Sequence, residues 1–367
     1  MTSPTQWTLY TSNEEAWEAI LADCAKAQKS IVLEQFIFIR DDFGNRLIDI
    51  CAERAAHGVD VRFLWDASGS FLGGSLLGFN IVEDLRKKHI RLLFWKHLIP
   101  GYFDIPNFRS WFLRNHRRTI VIDETIGYTG SICIKDSMKG WRDTNARFVG
   151  PIVAQMLSSF ERMWARADDK KHLPPRLKTR DTEFAYVTNS PTPGKRRLYR
   201  TVVEAIRNAQ HYIYITTPYF VPTSRLARVI RLAAHRGVDV RIIIPEKTNH
   251  YPALDLGARS FFTKMLESGV RIFLYPNKNG ETLIHSKAIV IDGEWSSTGS
   301  LNLDNASLLY NYEANIVSTN SRFAEELAAH FVHDMHLSRE VNPQEWNDRF
   351  FLERLPEYAI RLVRKFL

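Results

Sequence analysis

The sequence predicts an α/β fold built twice: two pseudo-symmetric α/β domains, each with a mixed central sheet and helices on both faces, meeting at a shared site. Three observations lead there. The stretch "AERAAHGVDVRFLWD" (Ala52 to Asp66) is echoed by "RLAAHRGVDVRIIIP" (Arg231 to Pro245), each a helix end, a glycine stop and a strand opening Val-Asp-Val-Arg. The pattern His116-x-Arg118-x4-Asp123 returns as His285-x-Lys287-x4-Asp292. Between the copies runs "ADDKKHLPPRLKTRDTE", charged and proline-containing, as a linker should be. Each unit is too long for a solenoid repeat, so the duplication implies a pair of domains rather than an array.

The elements follow in order within each copy. Apolar runs "IVLEQFIFI" and "YIYITTPYF" predict buried strands ahead of the echo. After it, a helical stretch leads to "IRLLFW" in one copy and "VRIFLY" in the other, and both copies then reach a strand ending in "IVID". A helix is expected from Pro151 to Ala165. The predicted boundaries are residues 1–175, residues 186–340, and a C-terminal amphipathic helix over residues 341–367. That last segment reads as a helix packed on the second domain, with a membrane-surface helix as the alternative.

Composition narrows the partner. Hydrophobic residues at 45% and charged residues at 25% describe a globular chain and exclude a disordered one. A net charge of +8 favours an anionic partner: nucleic acid, an anionic membrane surface or a phosphorylated small molecule. Cys24, Cys51 and Cys133 show no paired spacing, which fits free thiols in a reducing compartment. The start "MTSPTQWTLYTSNEEAW" has neither a basic segment nor an apolar one, so no signal peptide is expected. No apolar run is long enough to span a bilayer, so any membrane contact is expected to be peripheral, on the cytoplasmic side.

The two His-containing strands carry the chemistry. A spacing of two along a strand puts His116 with Arg118, and His285 with Lys287, on one face. Gly130-Ser131 and Gly299-Ser300 follow as turns able to present an N–H and a hydroxyl to an anion. Packing alone asks for a histidine and a cation side by side in neither copy, and buried cations need a shared anion. A phosphate between the units supplies one. One neutral imidazole attacks phosphorus, while the other gives and then takes the proton. Lys287 and Arg118 stabilise the non-bridging oxygens, and Asp123 and Asp292 are expected to orient the imidazoles. The scheme needs no metal and no cofactor.

At these residues the chain resembles the phospholipase D superfamily, whose members carry two HxKx4D motifs. In "GWRDTNARFVGPIVAQMLSSFERMW", "TPYFVPTSRLARVIRLAAHRGVDVRIIIP" and "GSLNLDNASLLYNYEANI" it is similar to the bacterial cardiolipin synthase branch. The resemblance implies His116 as nucleophile and His285 as general acid/base. It implies Ser131, Ser300, Asn302 and Glu313 around the phosphate. Two departures stand in the first motif: Arg118 replaces the usual Lys, and Cys133 sits where Asn is common. Arg keeps the charge but is longer and planar, so the exchange is not neutral.

The implied reaction is a phosphatidyl transfer onto phosphatidylglycerol that yields cardiolipin and glycerol. Hydrolysis to phosphatidic acid, a phosphodiesterase or nuclease activity, and non-catalytic binding are the alternatives. Trp95, Phe103, Phe108, Trp111 and Phe112, with Lys96 and Arg109, suggest an interfacial wedge beside the site, which favours a lipid over a nucleic acid partner. Ordinary packing is the competing reading of these aromatics. His330, His333 and Asp334 in "HFVHDMH" read as part of a domain-closing helix rather than as metal ligands.

Overall fold

The computed structural model describes residues 4–72, 81–95, 113–170, 172–175, 177, 181–248, 251–277 and 282–363. Its first half holds β1 (Gln6–Ser12), β2 (Ser30–Gln35), β3 (Asp60–Asp66), β4 (Arg91–Trp95), β5 (Thr119–Ile122), β6 (Ile126–Gly130) and β7 (Arg142–Val149). The second half holds β8 (Phe184–Asn189), β9 (Tyr212–Thr216), β10 (Phe220–Val221), β11 (Asp239–Pro245), β12 (Arg271–Tyr275), β13 (Ala288–Ile291), β14 (Trp295–Gly299), β15 (Leu303–Asp304), β16 (Glu313–Ser318) and β17 (Arg339–Glu340). The first sheet runs β1-β7-β6-β5-β2-β3-β4 and the second β8-β16-β14-β13-β9-β11-β12-β17. Position by position the order is the same, with β17 added at one edge. Both sheets are mixed: β2, β3 and β4, like β9, β11 and β12, are parallel, while the later strands join antiparallel.

The echoed stretch forms as the sequence predicts. The helices Asp42–Ala56 and Ser224–His235 stop at Gly58 and Gly237, which sit at φ 89° and 91°. Val59 N–H then reaches back to Arg54 O, and Val238 N–H to Ala233 O, closing the helix end before the next strand.

Strand alternation divides most of the apolar side chains between three large cores, with two small clusters beside them. Ile31, Leu33, Ile120 and Ile122 pack outward with the helices Asn13–Ala25 and Asp42–Ala56. Ile213, Ile215, Ile289 and Ile291 do the same in the second half. The intervening Val32, Val121, Val290 and Ile316 face a shared core. There the helices Ile152–Ala167 and Ser321–His336 contribute Met156, Phe160, Phe323 and Leu327. Burying a side chain of this size stabilises by roughly 1.5–3 kcal/mol. The shared core therefore contributes directly to holding the two halves together.

The segment beyond residue 341 is two helices rather than one, Pro343–Asn347 and Phe351–Val363. The second leans on the helix Pro252–Leu266, where Arg361 Nη2 donates to Ser260 O at 3.3 Å. No helix among the described residues is long and apolar enough to cross a membrane.

Candidate active site

The two histidine segments leave their own sheets and pair with the opposite half. His116 N–H donates to Tyr312 O at 3.0 Å, and Tyr312 N–H donates to Arg114 O at 2.9 Å. In the mirror arrangement, Arg142 N–H donates to Leu283 O at 3.0 Å and His285 N–H to Arg142 O at 2.7 Å. These two short bridges lay each histidine against the strand that carries a carboxylate of the other half.

The first segment is held from beneath by two buried acids at the ends of β2 and β3. Asp66 accepts from the Arg114 guanidinium at 2.7 Å and from Asn115 N–H at 2.8 Å. Glu34 accepts from Asn115 Nδ2 at 2.7 Å and pairs with Arg117 at 3.2 Å. Removing one partner of such a pair leaves an uncompensated buried charge, which costs about 3–5 kcal/mol.

Each imidazole has one nitrogen on a carboxylate and the other on a cation. His116 Nδ1 lies 2.8 Å from Glu313 Oε1, and Arg118 Nη2 lies 3.0 Å from His116 Nε2. His285 Nδ1 lies 3.4 Å from Asp143 Oδ2, and Lys287 Nζ lies 3.1 Å from His285 Nε2. Arg and Lys can only donate, so Nε2 must accept and Nδ1 must carry the proton toward the carboxylate. Both cations also donate to the carbonyl of their own histidine, Arg118 at 2.5 Å and Lys287 at 2.8 Å. Phe36 and Trp141 rings pack on His116 and His285, with centroids 4.7 and 5.2 Å away.

Burial and crowded positive charge set the protonation states. Burial, then Arg118, Lys287 and His285, hold His116 well below its usual value. Burial and Lys287 take His285 down to about 4. Burial takes Lys287 down to about 7, with Arg118 adding to the shift. Burial pushes Glu313 well up. For Asp143 burial acts upward but is outweighed by His285, Lys287 and Ser131, leaving it at about 2. Both imidazoles are therefore neutral at pH 7, and the site is short of negative charge.

Other expected site residues fall in different places. Ser131 hydroxyl lies on Asp143 and on His285 O, while Ser300 hydroxyl donates to Glu313 Oε2 at 2.5 Å. The serines thus support the carboxylates. Their glycines are needed because a Cβ at Gly130 would collide with Asn145 and Thr144 O, and one at Gly299 with Asn315 and Ala314 O. Asn302 is buried, and its Oδ1 meets no donor among the described residues. Cys133, at the equivalent position of the first half, lies 3.5 Å from Arg118 Nη2.

The expectation that Asp123 and Asp292 orient the imidazoles is corrected. Asp123 accepts from the backbone N–H groups of Gln28, Lys29 and Ser30. Asp292 accepts from those of Gln210, His211 and Tyr212. Each aspartate, at φ 51° or 55°, clamps the far end of its strand to the start of the neighbouring one. The four-residue run after the cation carries it a strand's length from the histidine.

Asp143 was missed in the sequence, although "Asp143-Thr-Asn145" against "Glu313-Ala-Asn315" signals it. The two asparagines do matching work: Asn145 Oδ1 accepts from Ser131 and Ile132 N–H, and Asn315 Oδ1 from Leu301 N–H. Asp334 is buried and grips the Arg142 guanidinium at 2.7 and 2.8 Å, so it braces the residue next to Asp143. Among the described residues no group of three His, Cys, Asp or Glu is arranged to hold a metal. Trp95 belongs to the shared core and donates to Leu113 O at 3.0 Å, which removes it from any interfacial wedge. Phe103, Phe108, Trp111, Phe112, Lys96 and Arg109 lie outside the described residues.

Comparison with known proteins agrees with this architecture. The family model described as cardiolipin synthase, PLD-like domain, matches residues 20–164 and 202–335. The chain is 32% identical to cardiolipin synthase A of Pseudomonas aeruginosa, over 97% of this chain and 71% of that one. It is 29% identical to cardiolipin synthase of Listeria monocytogenes, over 100% of this chain and 76% of that one. In fold it is similar to phosphatidylserine synthase of Haemophilus influenzae, with a TM-score of 0.75 at 14% identity, covering 98% of this chain and 92% of that one. Two mirrored imidazole–cation–carboxylate sets, carried on this duplicated fold, make the chain a member of the cardiolipin synthase family of PLD-like phosphatidyltransferases.

Proposed function

We propose that the protein transfers a phosphatidyl group from one phosphatidylglycerol to another, giving cardiolipin and glycerol. The observation that carries this reading is the pair of imidazoles whose Nε2 atoms each meet a buried cation while each Nδ1 meets a carboxylate of the opposite half. A phosphodiester between Arg118 and Lys287 supplies the negative charge that the site lacks. It also raises the proton affinity of His285, which the protein alone holds at about 4.

His116 Nε2 then attacks phosphorus, and the bond from phosphorus to the glycerol oxygen breaks. His285, which takes up a second proton at Nε2 once the phosphodiester is bound, delivers that proton to the leaving oxygen, and glycerol departs. The free hydroxyl of a second phosphatidylglycerol gives its proton to His285 and attacks the phosphohistidine. Cardiolipin leaves and His116 is regenerated. Arg118 and Lys287 hold the non-bridging oxygens throughout.

The same reading places the protein peripherally on the cytoplasmic face of the membrane. Leu352, Leu355, Tyr358 and Leu362 are exposed along the helix Phe351–Val363, an apolar stripe suited to the headgroup boundary.

The test is to incubate the protein with phosphatidylglycerol vesicles, with and without EDTA, and to identify products by mass spectrometry. Cardiolipin with equimolar glycerol is expected in both. Phosphatidic acid alone would replace the transfer by hydrolysis. A reaction abolished by EDTA would overturn the side-chain mechanism.

A further inference from the structure

Arg117 stands between His116 and Arg118 but points away from both, toward Ser159 and Tyr186. Its Nη2 donates to Ser159 Oγ at 2.8 Å, and its guanidinium lies 5.8 Å from the Tyr186 ring centroid. The space it faces is a cavity of about 210 Å³ between the helix Ile152–Ala167, β8 and Tyr312. A water takes up about 30 Å³ of liquid, so there is room for a small multi-atom ligand.

The lining is basic. Arg117, Arg162, Arg166 and Arg197 all contribute to it, and none of the described lining residues is acidic. Glu34 pairs with the same Arg117 Nη2 at 3.2 Å, although it does not itself line the cavity. Arg117 is only 3% exposed, yet its Nε meets no acceptor among the described residues. Arg166 stands over the Tyr312 ring at 5.8 Å, so two of the four guanidinium groups are steadied by aromatic faces. Hydroxyls of Ser158 and Ser159 add to the polar wall, while the Asn189 amide, also in the lining, is engaged by Ser307 O, Leu308 O and Tyr199 N–H. Four guanidinium groups with hydroxyl neighbours around one cavity, with Arg162 also donating to Pro174 O, match the oxygens of a phosphate group.

We propose that this cavity is a second anion site, distinct from the catalytic histidines, that binds a phosphate group, either free or as the headgroup of an anionic phospholipid. It backs directly onto the catalytic segment. Tyr312 lies next to Glu313 in the chain, and its carbonyl accepts the His116 N–H. The site does not depend on the transfer reaction proposed above, because binding is read without turnover.

The test is a calorimetric titration of the full chain with inorganic phosphate and, separately, with glycerophosphoglycerol. Two binding events are expected, one at the histidines and one in this cavity. The Arg162→Gln/Arg166→Gln double variant should lose the second event, about tenfold to a hundredfold in affinity, and keep the first. Arg197→Gln, at an exposed position, should weaken the same event should the double variant not fold. Tighter binding of phosphate identifies a free anion as the ligand, and tighter binding of glycerophosphoglycerol identifies a lipid headgroup. A single event in the wild type, or two unchanged events in the folded variants, would overturn the proposal.

Discussion

His116 donates its Nδ1 proton to Glu313, a residue 197 positions along the chain and on the opposite sheet. His285 turns the same atom toward Asp143, 142 positions back. Each half of the molecule supplies one imidazole and the carboxylate that aligns the other half's imidazole.

The crossed pairing predicts that the carboxylates matter as much as the cations. Glu313→Gln and Asp143→Asn should each lower kcat by roughly 10²–10⁴, the range expected when a histidine loses the group that fixes its tautomer. Vesicle turnover measured on protein of unchanged circular dichroism checks this. Full activity in Asp143→Asn would detach that residue from His285.

The clamp role of the motif aspartates predicts the opposite signature. Asp123→Asn and Asp292→Asn remove charge from an acceptor of three backbone N–H groups. Each should cost about 1–3 kcal/mol of stability in urea unfolding, with kcat of the folded protein changed less than about threefold.

Arg118 reaches His116 O with one nitrogen and His116 Nε2 with another, whereas Lys287 serves both atoms of His285 with one ammonium. Arg118→Lys should therefore retain turnover within about tenfold, and Arg118→Gln should lose about a hundredfold or more. Equal loss in both would mean that the planar fork itself is required.

Acid should weaken the fold through His285. The group titrates near 6.5 when unfolded and at about 4 when folded, because burial and Lys287 oppose its charge. Between those values the unfolded chain holds the extra proton, so stability rises with pH across the window. It falls by about 3 kcal/mol as pH drops through it. Glu313, raised by burial, acts in the other direction. The clean measurement is thus the difference between wild type and His285→Asn, which should show a shallower fall of Tm from pH 6.5 to 4.

The duplicated fold was legible because its signals are local. The glycine stops at Gly58 and Gly237 and the alternation in "TIVI" and "AIVI" each specify structure within a few residues. The site was legible only in part. Histidine and cation share a face by strand period, which sequence reveals. The crossed bridges Asn115 to Tyr312 and Arg142 to Ile284 join segments far apart in the chain, and no periodicity encodes them. That is why Glu313 came from resemblance alone and Asp143 was missed. Asp123 misled because conformity to a motif does not say which partner the residue meets. Trp95 misled because an aromatic at a strand end looks the same whether it faces a core or a membrane.

The backbone bridges give the molecule an order of assembly. As the ribosome releases the chain, His116, Arg118 and Asp143 emerge long before Glu313. Until residue 313 has folded back onto the first half, the His116 imidazole lacks its carboxylate. Neither half alone holds a complete imidazole–cation–carboxylate set, and both sets close only when the two halves dock.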